Sequence, residues 1–149
     1  MIIYRQERLE DVWDEAQPLV AKHWEEIAHY KDIPLVPDKE LYFGLSKMGT
    51  LRVFTARIEG KLVGYCVFFV RRNAHYSTSL QATQDILFIL PEHRKGRVGI
   101  GLIKYCDEQL GAEDVQVVYQ HVKLAHNFGP VLERMGYEAV DIIYGKRLS

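Results

Sequence analysis

Three glycines stand close together behind an apolar run: Gly96, Gly99 and Gly101, interleaved with Arg94, Lys95 and Arg97. Ile86 to Leu90 is apolar and bounded by Pro91, which predicts a central strand buried on both faces. Ile100, Leu102, Ile103, Tyr105, Cys106 and Leu110 then recur at helical spacing. A glycine-bearing turn between a strand and a helix leaves backbone N–H groups free at the positive end of the helix dipole. The chemistry this offers is anion binding, and a pyrophosphate fits it. A P-loop would need Lys-Ser/Thr directly after its last glycine, and a dinucleotide fold would need a third glycine at the required offset. Neither is present.

A second group of residues could move protons. Asp85 opens the apolar strand, where burial would raise its pKa toward that of a useful base or substrate anchor. His75 and Tyr76 lie in the polar stretch before it, and loops on a rigid sheet often carry sites. His23 and Glu26 are one helical turn apart on the first helix, where they could close over an acceptor site; a solvated face is the expectation. Cys66 and Cys106 lack metal-like spacing and sit in apolar surroundings, so reduced, buried thiols are expected, and no metal.

These residues need elements to hold them. Ile2 to Arg5 reads as a strand. Leu9 to Tyr30 reads as an amphipathic helix, kinked or divided at Pro18. Asp38 is a good N-cap for Lys39 to Lys47, with Gly49 as the stop. Leu51 to Ile58 and Leu62 to Val70 form a hairpin about Glu59-Gly60. Arg71 to Ser79 is polar and irregular. Beyond the central unit come a strand at Val115 to Val122, a helix at His126 to Arg134, and a last strand at Ala139 to Tyr144. The order predicts one α/β domain over residues 1–149, a mixed central sheet with helices on both faces.

The 149 residues suffice for a sizeable core, and a net charge of −1 gives no electrostatic case for nucleic acid. No apolar run is long enough to span a bilayer, and charges interrupt the N-terminus, so no membrane partner and a cytoplasmic location are expected.

Pro91-Glu92-His93-Arg94 and Gly99-x-Gly101 resemble motif A of the GNAT acetyltransferases, with Gly96 standing where that motif has Gln or Arg. Leu132 to Tyr137 resembles the family's closing segment, and the element order is similar along the whole chain. His75-Tyr76 and Asp85 also resemble a tailed-phage subgroup. The resemblance implies a GNAT-like fold, acetyl-CoA as cosubstrate and transfer of acetyl to a primary amine, on a small molecule or a protein, by direct attack. It places Leu87, Ile89 and Leu90 along the pantetheine arm, and Arg94, Lys95, Gly96, Arg97, Val98, Gly99, Ile100 and Gly101 around the pyrophosphate. Asn127 would face the cofactor, and Asp85, His75 and Tyr76 would serve catalysis. Leu132 stands where many members have the tyrosine that protonates the thiolate; His126, Tyr119 and Tyr144 are the replacements. A homodimer is left open. The rival reading is a non-catalytic CoA-binding or protein-interaction module, such as a phage or host regulatory factor.

Overall fold

Val53 and Phe54 are neighbours in sequence and serve opposite faces of one sheet. Val53 faces the first helix, while the Phe54 ring packs 6.0 Å from Tyr105 of a later one. This period-2 alternation organises the computed structural model, which describes residues 1–149. The elements are β1 (Ile2–Glu7), α1 (Leu9–Ile27), α2 (Lys39–Lys47), β2 (Leu51–Ile58), β3 (Lys61–Arg72), β4 (Leu80–Ile89), α3 (Val98–Ala112), β5 (Val117–Tyr119) and α4 (Gly129–Arg134). The strands stand in the order β1-β2-β3-β4-β5. The first four pair antiparallel, and β5 runs parallel to β4. Helices α1 and α2 cover one face and α3 the other. The core is one cluster whose centre includes Phe54, Phe68, Cys66, Leu102, Cys106 and Leu110.

Local chemistry explains the boundaries. The Asp38 carboxylate accepts from the Leu41 N–H at 3.0 Å, as an N-cap should, and Gly49 at φ 75° turns the chain out of α2. Glu59 at φ 51° and Gly60 at φ 79° make the tight β2–β3 turn. Arg57, only 7% exposed, fixes α1 to the sheet: its guanidinium donates to Glu7, Glu15 and the Gly60 carbonyl, each at 2.8 Å at its nearest.

Several expectations need correction. α1 runs unbroken through Pro18 and stops at Ile27. Burial of Leu9, Val12 and Leu19 on one face carries it past the amide that proline lacks. β4 begins at Leu80, because Gln81 and Gln84 are buried with hydrogen-bonded side chains. Ile86 and Leu87 are only half-buried, since β4 loses its β5 neighbour before reaching them. β5 is three residues long, and α4 starts at Gly129. Ala139 to Tyr144 forms no strand: Val140, Ile142, Ile143 and Tyr144 are 65–90% exposed. The tail instead reaches the α1–α2 loop, where Arg147 pairs with Asp32 at 2.6 Å and lies over the Tyr30 ring.

Gly101 answers to packing. The Tyr4 hydroxyl donates to the Val98 carbonyl at 3.0 Å, and a Cβ on Gly101 would sit 2.1 Å from that hydroxyl and 2.7 Å from the ring. Gly101→Ala is expected to cost about 1–3 kcal/mol in denaturant unfolding. Repeating it in a Tyr4→Ala background should recover most of that cost in a double-mutant cycle. Equal costs in both backgrounds would separate Gly101 from Tyr4.

Candidate active site

β5 pairs with β4 only from Gln81–Val117 to Thr83–Tyr119. Beyond Thr83 the two strands part. The Gln84 side chain spans the opening, its Oε1 accepting the His121 N–H at 2.7 Å. From Asp85 to Ile89, β4 keeps β3 on one edge and opens on the other. The register with β3 also slips here: Val67 opposes Ile86 and Phe68 opposes Gln84, so Asp85 has no partner. Such a bulge re-aims a side chain.

The bulged Asp85 meets Tyr42 of α2, whose hydroxyl donates to Oδ2 at 2.6 Å. Burial raises the Asp85 carboxyl above its ordinary range, opposed by the Tyr42 hydrogen bond and by the charge of His121. Burial, then the Asp85 neighbour, pushes the Tyr42 phenol up. Tyr65 of β3 is close enough to feel both groups; its phenol is raised first by burial and then by Asp85 and Tyr42. It is 3% exposed, and its hydroxyl has no hydrogen-bond partner. Tyr42, Tyr65 and Ile86 line one part of a cavity of about 520 Å³ between α1, the α1–α2 loop and the sheet. The rest of its wall is mostly apolar, with Trp13 and Trp24 among it.

The glycine turn lies past the end of β4. Gly96 has φ 121°, a conformation that side chains rarely adopt. Arg97 caps α3 without a side-chain hydrogen bond, and the first bonded amide is Gly101 N to the Arg97 carbonyl at 2.8 Å. The N–H groups from Lys95 to Ile100 therefore stay available at the helix N-terminus. Lys95 and Arg97 are exposed beside them and Val98 is buried. A Cβ on Gly99 would make only an ordinary 3.8 Å contact with Ile89. Arg94 turns away from the turn: it forks onto both Glu26 oxygens at 2.9 Å, donates to the Ile89 carbonyl at 2.8 Å and lies over the Phe88 ring. Ile89 and Leu90 are buried under this end of the strand, and Leu87 is half-buried.

The structure does not bring His75 and Tyr76 to Asp85. They occupy the exposed β3–β4 turn, where Asn73 Oδ1 accepts both their N–H groups, with Leu80 to Gln84 between them and Asp85. Asn127 Oδ1 accepts the Gly129 N–H at 2.9 Å in the turn that leads into α4. Leu132 is buried at 5% exposure. Of the replacement acids, Tyr144 is 90% exposed on the tail and His126 is exposed in a bridge to Lys123, whereas half-buried Tyr119 ends β5 beside the opening. Sequence reading missed Tyr42, Tyr65 and His121. The partner of Tyr42 lies 43 residues away, so no local pattern marks it.

His23 and Glu26 are no solvated face. The His23 ring packs 5.0 Å from Phe88, and burial pulls its pKa down to about 4. An unfolded histidine takes its proton near pH 6.5, so the unfolded chain gains one first as pH falls. Stability due to His23 is complete above about pH 6.5 and is lost as pH drops toward 4. Urea midpoints followed from pH 7 to 4.5 should fall less steeply in His23→Phe than in the parent; parallel curves would count against this burial.

No curated protein matches the sequence. An aminoglycoside acetyltransferase from an uncultured soil metagenomic sample is similar in structure, with 16% identity over 99% of this chain and 97% of that one, at a TM-score of 0.77. A ribosomal-protein-alanine N-acetyltransferase from Brucella melitensis biovar Abortus 2308 has 18% identity over 100% of both chains and a TM-score of 0.75. A predicted acetyltransferase with acetyl-CoA from Clostridium acetobutylicum has 14% identity over 99% and 96%, at 0.74. At these identities the likeness is one of fold. The Acetyltransferase (GNAT) family model matches residues 9–137, and with the opened β4 edge, the bulge and the glycine turn in place, the chain belongs to the GNAT acetyltransferase family.

Proposed function

We propose that the chain transfers an acetyl group from acetyl-CoA to a primary amine by direct attack. The observation that carries this reading is Asp85, set on a bulge at the strand opening and held by Tyr42 at the edge of a cavity. The free amides from Lys95 to Ile100 and the Gly96 turn suit a pyrophosphate, with Lys95 and Arg97 adding charge, and the open edge at Leu87 to Ile89 suits an extended arm. Acetyl-CoA would supply an activated acyl carbon and a thiolate leaving group.

The protein supplies the rest. Free alkyl amines have a pKa near 10.4, so an acceptor arrives as a cation. The Asp85 carboxylate attracts that cation and takes its proton. Tyr42 occupies Oδ2, which leaves Oδ1 for the amine. The raised pKa makes Asp85 a stronger base than a solvated carboxylate, though less raised than burial alone would give. The likeness to a tailed-phage subgroup rests on His75-Tyr76 and Asp85 alone. A non-catalytic CoA-binding module is the second reading, favoured by Leu132, buried and apolar where a proton donor is commonly found.

Calorimetry with acetyl-CoA separates binding from its absence. Gly96→Ala, which cannot hold φ 121° comfortably, should weaken acetyl-CoA by about tenfold, the scale of 1–3 kcal/mol of backbone strain. Asp85→Asn should leave that affinity near the parent's and slow thiol release with an accepted amine by roughly 10²-fold or more. In the parent, the acidic limb of the rate profile should lie above the ordinary aspartate value of about 3.9. Transfer by Asp85→Asn at the parent rate across pH 6 to 9 would remove Asp85 from the mechanism; acetyl-CoA binding with no transfer to any amine would favour the second reading.

A further inference from the structure

The cavity wall carries a chemical signature of its own. Its lining of 22 residues, 17 of them hydrophobic, contains no Asp, Glu, Lys or Arg. Both tryptophans of the chain, Trp13 and Trp24, belong to it. At about 520 Å³ it is of the size that takes a small organic molecule. Asp85 meets the wall through Tyr42 without lining it. Glu7 on Thr55 and Glu15 on the Leu62 N–H are both already paired with Arg57, and Lys31 and Arg147 lie over the Trp24 and Tyr30 rings. On the Asp85 side Tyr65 lines the cavity with a buried hydroxyl that nothing in the chain satisfies, a costly arrangement that a ligand donor or acceptor would relieve.

We infer that the acceptor is a primary monoamine with an apolar body of ring or long-alkyl type. The inference rests on the acetyltransferase reading above and names its substrate class. The body fills the apolar wall, and the single ammonium points to the Asp85 carboxylate with Tyr65 as its neutral hydrogen-bond partner. A second or third ammonium would find no free carboxylate at the wall, since Glu7 and Glu15 are held by Arg57, and an unpaired charge in such a wall is strongly disfavoured. Polyamines, aminoglycosides and lysine-rich peptides therefore do not suit this cavity, although a structural relative is named for an aminoglycoside.

The two tryptophans make the test direct, since the chain's indole fluorescence arises from the cavity wall. The protein is titrated with 2-phenylethylamine, octylamine, spermidine and an aminoglycoside, first without acetyl-CoA and then with it, following thiol release. Expected is saturable quenching by 2-phenylethylamine and octylamine, at least about tenfold tighter than by spermidine or the aminoglycoside. With acetyl-CoA the same order should hold in kcat/KM. Tyr65→Phe keeps the ring and should weaken 2-phenylethylamine about five- to tenfold while the melting temperature stays or rises. Equal or tighter binding of the polycations overturns the inference and leaves the acetyltransferase reading standing. Monoamine binding in this order with no thiol release supports the cavity assignment and overturns that reading. Unchanged binding in Tyr65→Phe overturns the role of its hydroxyl.

Discussion

The parting of β4 from β5 after Thr83 is the constraint on which the site depends. Backbone N–H and C=O groups in a sheet call for partners, and a parallel pair that ends after three residues on each strand leaves many of them open. The chain repairs part of the loss with a side chain, since Gln84 accepts the His121 N–H that a strand neighbour would otherwise have held. At the next residue the bulge turns Asp85 out of the ladder toward Tyr42. Three features thus follow from one break in pairing: an open edge, a re-aimed carboxylate, and a strand end that runs into the glycine turn.

The electrostatics of the two halves are separate. The turn relies on backbone amides at a helix N-terminus, with Lys95 and Arg97 exposed beside it, while Arg94 is already neutralised by Glu26. The carboxylate half works by burial against apolar residues. Tyr42 limits how far the Asp85 pKa rises, so the group is a base of intermediate strength held in one orientation. An ammonium attracted there would leave water for a surface with few other polar partners.

Local chemistry made much of the fold legible. The Asp38 cap, the Gly49 stop, the Glu59-Gly60 turn and the strand–glycine–helix unit are all written within a few residues, and each is present. The start of β4 was hidden because Gln81, Thr83 and Gln84 are polar, and only tertiary partners make buried glutamines tolerable in a strand. Ala139 to Tyr144 has the apolar, β-branched composition of a strand and no strand edge pairs with it. Asp85 stood out as an acid at an apolar run. Its pairing with Tyr42 depends on how α2 lies across the sheet, which no periodicity records.

One helix connects the halves. The inward residues of α1, including Val12, Trp13, Ala16 and Val20, wall the cavity, while His23 and Glu26 near its end grip Phe88 and Arg94 at the mouth of the turn. Earlier along the helix, Glu15 reaches Arg57 and the Leu62 N–H. The Arg94–Glu26 pair is 27% exposed on each side, and such pairs contribute on the order of 1 kcal/mol or less. Burial of Leu9, Val12 and Leu19, at a few kcal/mol for each large apolar side chain on the scale of about 25 cal/mol per Å², is the larger stabilising term. Apolar burial therefore holds α1 on the sheet, and the ion pairs at Glu15 and Glu26 set its rotation. Because the helix passes Pro18 without a break, that rotation is common to the cavity wall and to the contacts beside the turn.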